Sequence, residues 1–230
     1  MKQRFNDLLR GGVVRSLILV TGFILLLGCE HSSEPPPTEG AIILPESRKV
    51  PQFELLHHGS SGFTNTDLKG KWSFFFYGYT HCPDVCPTEL FNLAEMLRQL
   101  ETAGVAEAEL PQVVFVSVDP QRDLPEGIQR YVEFYHPRFK GVTAEQGRVD
   151  QLARSMGAIY EKVYYMGGKA LVIGQDETIP DALKDTYLVN HSATIFLLNP
   201  EGELHAIFTT PHMPDAMVRD LKVIQQSGQF

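Results

Sequence analysis

Hydrophobic positions along the chain fall into blocks with two different periods. Trp72 to Tyr79 is an unbroken apolar and aromatic run, and Gln112 to Asp119 reads Val-Val-Phe-Val-Ser-Val before an acid; both predict strands buried on two faces. Between them Leu90, Leu93, Ala94, Leu97 and Leu100 recur at helical spacing, which predicts a helix over 88–101 with Pro87 suited to its first position. Strand, helix, strand implies a parallel pair joined by a right-handed crossover. Further helices are expected over 125–135 and 145–156, then a short strand near 158–164. Residues 193–198 and 203–208 flank Asn199-Pro200-Glu201-Gly202, a turn signal that makes them a hairpin, and 214–226 predict a last helix.

Parallel strands, then a hairpin, then a helix is the order of a thioredoxin-like α/β fold, a central mixed sheet with flanking helices. Tyr165 to Thr186 holds Gly167-Gly168, Gly174 and Pro180, and reads as a loop inserted before the C-terminal hairpin.

The N-terminal block obeys a different logic. Lys2, Arg4, Arg10 and Arg15 stand against Asp7, and Ser16 to Cys29 is uncharged and rich in Leu, Ile and Val, the layout of an export signal. The uncharged run is shorter than the roughly 20 residues of a comfortable membrane span. It ends Leu26-Leu27-Gly28-Cys29, which resembles the bacterial lipobox, where the cysteine is acylated and becomes the first mature residue. An uncleaved signal anchor is the alternative, and either reading ties the body of the protein to a membrane outside the cytoplasm. Ser32-Ser33, Pro35-Pro36-Pro37 and Gly40 have linker composition. The expected layout is a signal peptide over 1–28, a lipid-anchored flexible linker over 29–48 and one domain over 49–230.

Composition narrows the function. At 43% hydrophobic and 21% charged, the 230-residue chain can bury a core, which excludes a disordered class. A formal charge of −8 argues against a nucleic-acid binder, and removing the basic leader makes the remainder more acidic still. Three cysteines cannot build a disulfide scaffold, and their odd number leaves one over from any pair. Assigning Cys29 to the lipid leaves Cys82 and Cys86. These lie just past a buried strand and just before a helix, where amide N–H groups and the helix dipole favour a thiolate. Four residues apart on a helical turn, their Cα atoms are about 6 Å from each other, inside the window of roughly 4.4–6.8 Å for a disulfide. The pair therefore suits a metal when reduced or a disulfide when oxidised, and a static structural disulfide is the plain alternative.

The run Tyr77-Gly78-Tyr79-Thr80-His81-Cys82-Pro83-Asp84-Val85-Cys86-Pro87-Thr88-Glu89-Leu90 resembles the signature of the SCO/SenC family, membrane-tethered, thioredoxin-like copper chaperones of cytochrome c oxidase assembly. Three further blocks carry the resemblance in order across about 50–225: Val118-Asp119-Pro120-Gln121-Arg122-Asp123 with Pro125-Glu126, Phe134-Tyr135-His136-Pro137-Arg138-Phe139 with Gly141 and Thr143, and Tyr187-Leu188-Val189-Asn190-His191-Ser192. The departures are Leu124 where threonine is usual, Asn190 where aspartate is common, and Ala144-Glu145. The resemblance implies that Cys82, Cys86 and His191 bind copper, as Cu(I) and in a further state as Cu(II). It also implies a copper donor protein and the copper-site subunit of cytochrome c oxidase as partners, and an address on the periplasmic face of a bacterial inner membrane. No nucleic acid is expected as a partner.

Two soft thiolates and an imidazole suit Cu(I), whereas structural zinc takes four protein ligands and the chain without its leader has no further cysteine beyond Cys29. Asp84, inside the cysteine loop, and Asp119, at the end of the second strand, are expected to tune the thiolates or to dock a client. For Asp119 and Asp123, pairing with Arg122 or capping the next helix is the local alternative. His57, His58, His81 and His212 are not expected to be primary ligands. A thiol–disulfide oxidoreductase using Cys82 and Cys86 is the competing function, although the usual redox spacing is shorter by one and gives His191 no role. A peroxidase fits poorly, because Phe75, Phe76 and Tyr77 stand where its loop would offer a proline and a hydroxyl.

Overall fold

A computed structural model describes residues 37–59, 62–171, 179, 183 and 186–227. The expected signal peptide, Cys29 and the expected linker up to residue 36 lie outside the described residues.

The chain forms β1 (Ala41–Lys49), β2 (Glu54–His57), β3 (Phe63–Thr64), β4 (Ser73–Gly78), α1 (Val85–Thr102), β5 (Gln112–Ser117), α2 (Pro125–Glu133), β6 (Lys140–Thr143), α3 (Gln146–Met156), β7 (Tyr160–Met166), β8 (Lys169–Leu171), β9 (Tyr187–His191), β10 (Ile195–Leu198), β11 (Glu203–Phe208) and α4 (Pro214–Ser227). Eight strands make one sheet in the order β1-β11-β10-β4-β5-β6-β2-β3, and β8-β7-β9 make a second, smaller one. β4, β5 and β6 are parallel neighbours and the remaining pairs are antiparallel. This is a thioredoxin-like α/β fold with a central mixed sheet.

Because side chains alternate along a strand, each central strand feeds two cores. Phe74 and Phe76 of β4 and Val113 and Phe115 of β5 pack under α1, α2 and α4. Phe75, Tyr77, Val114 and Val116 pack on the opposite face with α3 and the small sheet. Burial on both faces is why these strands are continuous apolar runs in the sequence.

Three elements differ from the sequence expectation. The linker assigned to 29–48 ends earlier, because Ala41–Lys49 is an edge strand paired with β11. Its exposed Pro45, Glu46 and Arg48 are edge-strand residues that read as linker composition. The buried Asp220 of α4 fixes its entry, accepting N–H bonds from Glu39 (2.8 Å), Gly40 (2.8 Å) and Ala41 (2.9 Å). Second, α1 starts at Val85 and takes Pro87 into its first turn, where the missing N–H would have had no partner within the helix. Third, the expected loop over 165–186 opens as a hairpin, with β7 turning through Gly167 (φ 58°) and Gly168 (φ 77°) into β8. Leu183 is buried in the core; 172–178, 180–182 and 184–185 lie outside the described residues.

Asp220→Ala removes a carboxylate from three amides, and the expected loss is about 2–4 kcal/mol of unfolding free energy, read by urea denaturation. Amide exchange should quicken first over 39–43.

Candidate metal centre

β4 stops at Gly78, and Tyr79-Thr80-His81 carry the chain over to Cys82 in a turn closed by the Cys82 amide donating to the Tyr79 carbonyl at 3.2 Å. Cys82 Sγ then sits at the N-terminus of α1, where it accepts the Cys86 N–H at 3.5 Å. Cys86 faces inward and is fully buried, whereas Cys82 is partly exposed. Room for the inner sulfur depends on Gly78: a Cβ there would lie 2.5 Å from Cys86 Sγ and 2.7 Å from a Phe115 ring carbon.

The third donor arrives from the end of β9. His191 Nε2 is 3.1 Å from Cys86 Sγ and 3.7 Å from Cys82 Sγ, and the three atoms lie within 4.8 Å of one another. His191 Nδ1 is 3.1 Å from the Ser192 carbonyl oxygen. A carbonyl only accepts, so Nδ1 carries a proton toward Ser192 and Nε2 is the ring nitrogen turned toward the sulfurs. Phe76 at 5.9 Å and Tyr79 at 6.0 Å meet the imidazole edge-on and hold its plane.

The two thiols are unlike. The neighbouring Cys86 side chain, then His191 and the helix-terminal amides, draw the Cys82 pKa far below the ordinary thiol range, against the opposing effect of burial. Burial, and then the charge of its neighbour, push Cys86 the other way. The two shifts together favour charge on the outer sulfur and the proton on the buried one. Both cysteines are free.

A family model described as SCO1/SenC matches residues 43–226. The chain belongs to the SCO1/SenC family. Human mitochondrial "Protein SCO2 homolog" is 40% identical over 152 residues, covering 65% of this chain and 50% of that protein, so the chain spans about half the length of that relative. A SCO2-like protein of Rickettsia conorii is 27% identical over 211 residues, covering 91% of this chain and 94% of its own. Among solved structures, apo Sco1 of Thermus thermophilus superposes with a TM-score of 0.65 at 31% identity, over 82% of this chain and 97% of that one. Copper-bound ScoI of Arabidopsis thaliana gives 0.62 at 29% identity, over 77% and 98%.

The other residues singled out in this SCO1/SenC chain are dispersed around the triad. Asp84 is exposed, and its side chain makes no capping bond to α1. Asp119 is buried in a pair with Arg122 Nε and also accepts the Tyr187 hydroxyl at 2.5 Å. Asp123 does more than local work. It accepts the Thr80 amide at 2.9 Å together with the hydroxyls of Thr80 and Ser117, which fixes the cysteine loop to the end of β5. His57 bonds the Gly141 carbonyl, His81 faces Thr80 and Asp123, and His212 pairs with the buried Glu89 at 2.7 Å. Among the described residues, the one such group of potential metal donors is Cys82, Cys86 and His191. Sequence reading missed Gly78, Tyr79 and the tie made by Asp123. A glycine closing an otherwise bulky strand immediately before the cysteine loop was the available signal for the first.

Because Cys82 is already a thiolate at neutral pH, its alkylation by iodoacetamide should change little between pH 6 and 8, where an ordinary thiol gains about tenfold per unit. Mass mapping of the reduced protein should find the label on Cys82 first, and the denatured chain should recover the steep pH dependence.

Proposed function

We propose that this protein is a membrane-tethered copper chaperone that takes Cu(I) on Cys82, Cys86 and His191 and delivers it to the copper site of cytochrome c oxidase during assembly. The observation that carries the reading is the convergence of two sulfurs and one imidazole nitrogen within 4.8 Å, from segments of the chain far apart in sequence. Thiolates and a neutral imidazole match the softness of Cu(I). Three protein donors leave room for a ligand from the acceptor, as transfer requires. The copper-bound Sco relatives support the choice of metal.

The protein's own groups prepare the exchange. Cys82 offers a ready thiolate, Cys86 gives up its proton as the cation replaces it, and the Ser192 carbonyl, by holding Nδ1, keeps His191 Nε2 turned toward the sulfurs. The exposed carboxylate of Asp84 is placed to meet a basic patch on a client. The basic leader and the lipobox-like run support acylation of Cys29 and residence on the periplasmic face of the inner membrane.

One observation favours a second reading. A partly exposed thiolate backed by a buried, protonated thiol is also the arrangement of a disulfide reductase, in which the outer sulfur attacks and the inner one resolves. The two functions part at His191.

His191→Ala should weaken Cu(I) binding to the reduced protein at least about 100-fold, or about 2.7 kcal/mol, in anaerobic competition with a Cu(I) chelator, while the Cys82–Cys86 disulfide still forms. Unchanged affinity would remove His191 from the ligand set. Oxidase maturation that survives His191→Ala but fails in Cys82→Ser would favour the reductase. Separately, Cys29→Ser should move the protein from the membrane to the soluble fraction, and continued membrane retention would refute the lipid anchor.

A further inference from the structure

We infer that Arg122, held by Asp119, is a positioning residue for His191: with Tyr79 it fastens the free edge of β9 and so sets the imidazole over the two sulfurs. The inference rests on the ligand set proposed above.

Among the described residues β9 is the outermost strand of the small sheet, with β7 on one side and no strand on the other. An unpaired edge leaves alternate backbone groups without ladder partners. Here side chains of the cysteine-bearing half of the molecule take those places. Arg122 Nη1 donates to the Tyr187 carbonyl at 3.0 Å. Two residues on, the Val189 backbone faces the Tyr79 hydroxyl closely enough to oppose the burial that raises its pKa. Two further on stands His191. The three residues lie on the same side of the strand; the first is bonded to Arg122 and the second faces Tyr79 before the histidine is reached.

Arg122 is itself held firmly. Its Nε meets Asp119, its guanidinium carbon lies 3.8 Å from the centre of the Tyr187 ring and 5.5 Å from that of Tyr79, and the Tyr187 hydroxyl closes the loop on Asp119. Lys162 of β7 adds a second cation 3.7 Å from Asp119 and 4.6 Å from the Tyr187 ring centre. A planar fork meets a carboxylate, a carbonyl and a ring face at once; an ammonium cannot. Tyr79 then passes the constraint on directly, since its ring touches both Arg122 and the edge of His191. Tyr79 also meets the cysteine loop, its carbonyl accepting from the Cys82 amide, whereas the contacts of Arg122 do not involve the sulfurs; their loss should displace the imidazole and spare the thiol pair.

The test uses the full chain, reduced and metal-free, in four variants: Arg122→Gln, Arg122→Lys, Tyr187→Phe, and Arg122→Gln combined with His191→Ala. Competition with a Cu(I) chelator should show affinity down about 10–100-fold in Arg122→Gln, with little recovery in Arg122→Lys and a smaller loss in Tyr187→Phe. The combined variant should bind no more weakly than His191→Ala alone. Amide exchange at Val189 should rise at least about tenfold in Arg122→Gln while β4 and β5 stay protected, and the Cys82–Cys86 disulfide should form normally. Native affinity together with native Val189 exchange in Arg122→Gln would overturn the inference. So would an equal further loss in the combined variant, which would place the effect on the thiols, or a rise in exchange across the whole domain, which would make Arg122 merely structural. If His191→Ala alone left affinity unchanged, the ligand reading would fall, and Val189 exchange with the His191 ring resonances would still decide the clamp.

Discussion

The register between β4 and β10 is the constraint on which the site depends. Ile195 lies opposite Phe76, Phe196 opposite Phe75 and Leu197 opposite Phe74, in antiparallel pairing. The chain therefore enters β10 where β4 ends and the cysteine loop begins. His191, four residues upstream of Ile195, must arrive over Cys82 and Cys86. A slip of one residue would send every phenylalanine to the wrong face of the sheet. Apolar burial far from the chemistry thus brings together donor atoms separated by 105 positions in sequence.

Electrostatics at the pair follows from the same placement. The outer sulfur rests on the amide end of α1, and the inner one lies under Gly78 and Phe115, buried where a second charge is poorly stabilised. Holding one proton between two sulfurs is the cheapest state of an empty site. A monovalent soft cation can take the place of that proton without leaving the interior with a larger net charge, so the buried thiol favours an ion of low charge.

Legibility in the sequence varied with burial. β4, β5, α1 and the β10–β11 hairpin were readable because two-sided burial and helical spacing write themselves into composition. β1 was not, since one edge strand carrying Pro45, Glu46 and Arg48 has the composition of a linker, and what orders it is Asp220, about 180 residues away in the chain. β8 was hidden for a related reason: Lys169–Leu171 is short and largely exposed, and glycines on its turn outweighed it. At the site, the cysteine motif was plain from spacing and context. The hydrogen-bonding of Asp123 to Thr80, and of Arg122 to β9, depends on which loops the sheet order juxtaposes, and single-chain patterns do not carry that order.

The unequal exposure of the two cysteines also leaves the triad a single open side. Cys86 is enclosed, and the rings of Phe76 and Tyr79 flank His191, so whatever reaches the triad from solvent arrives from the side of Cys82. The fold thereby gives a nearly symmetric chemical pair a front and a back.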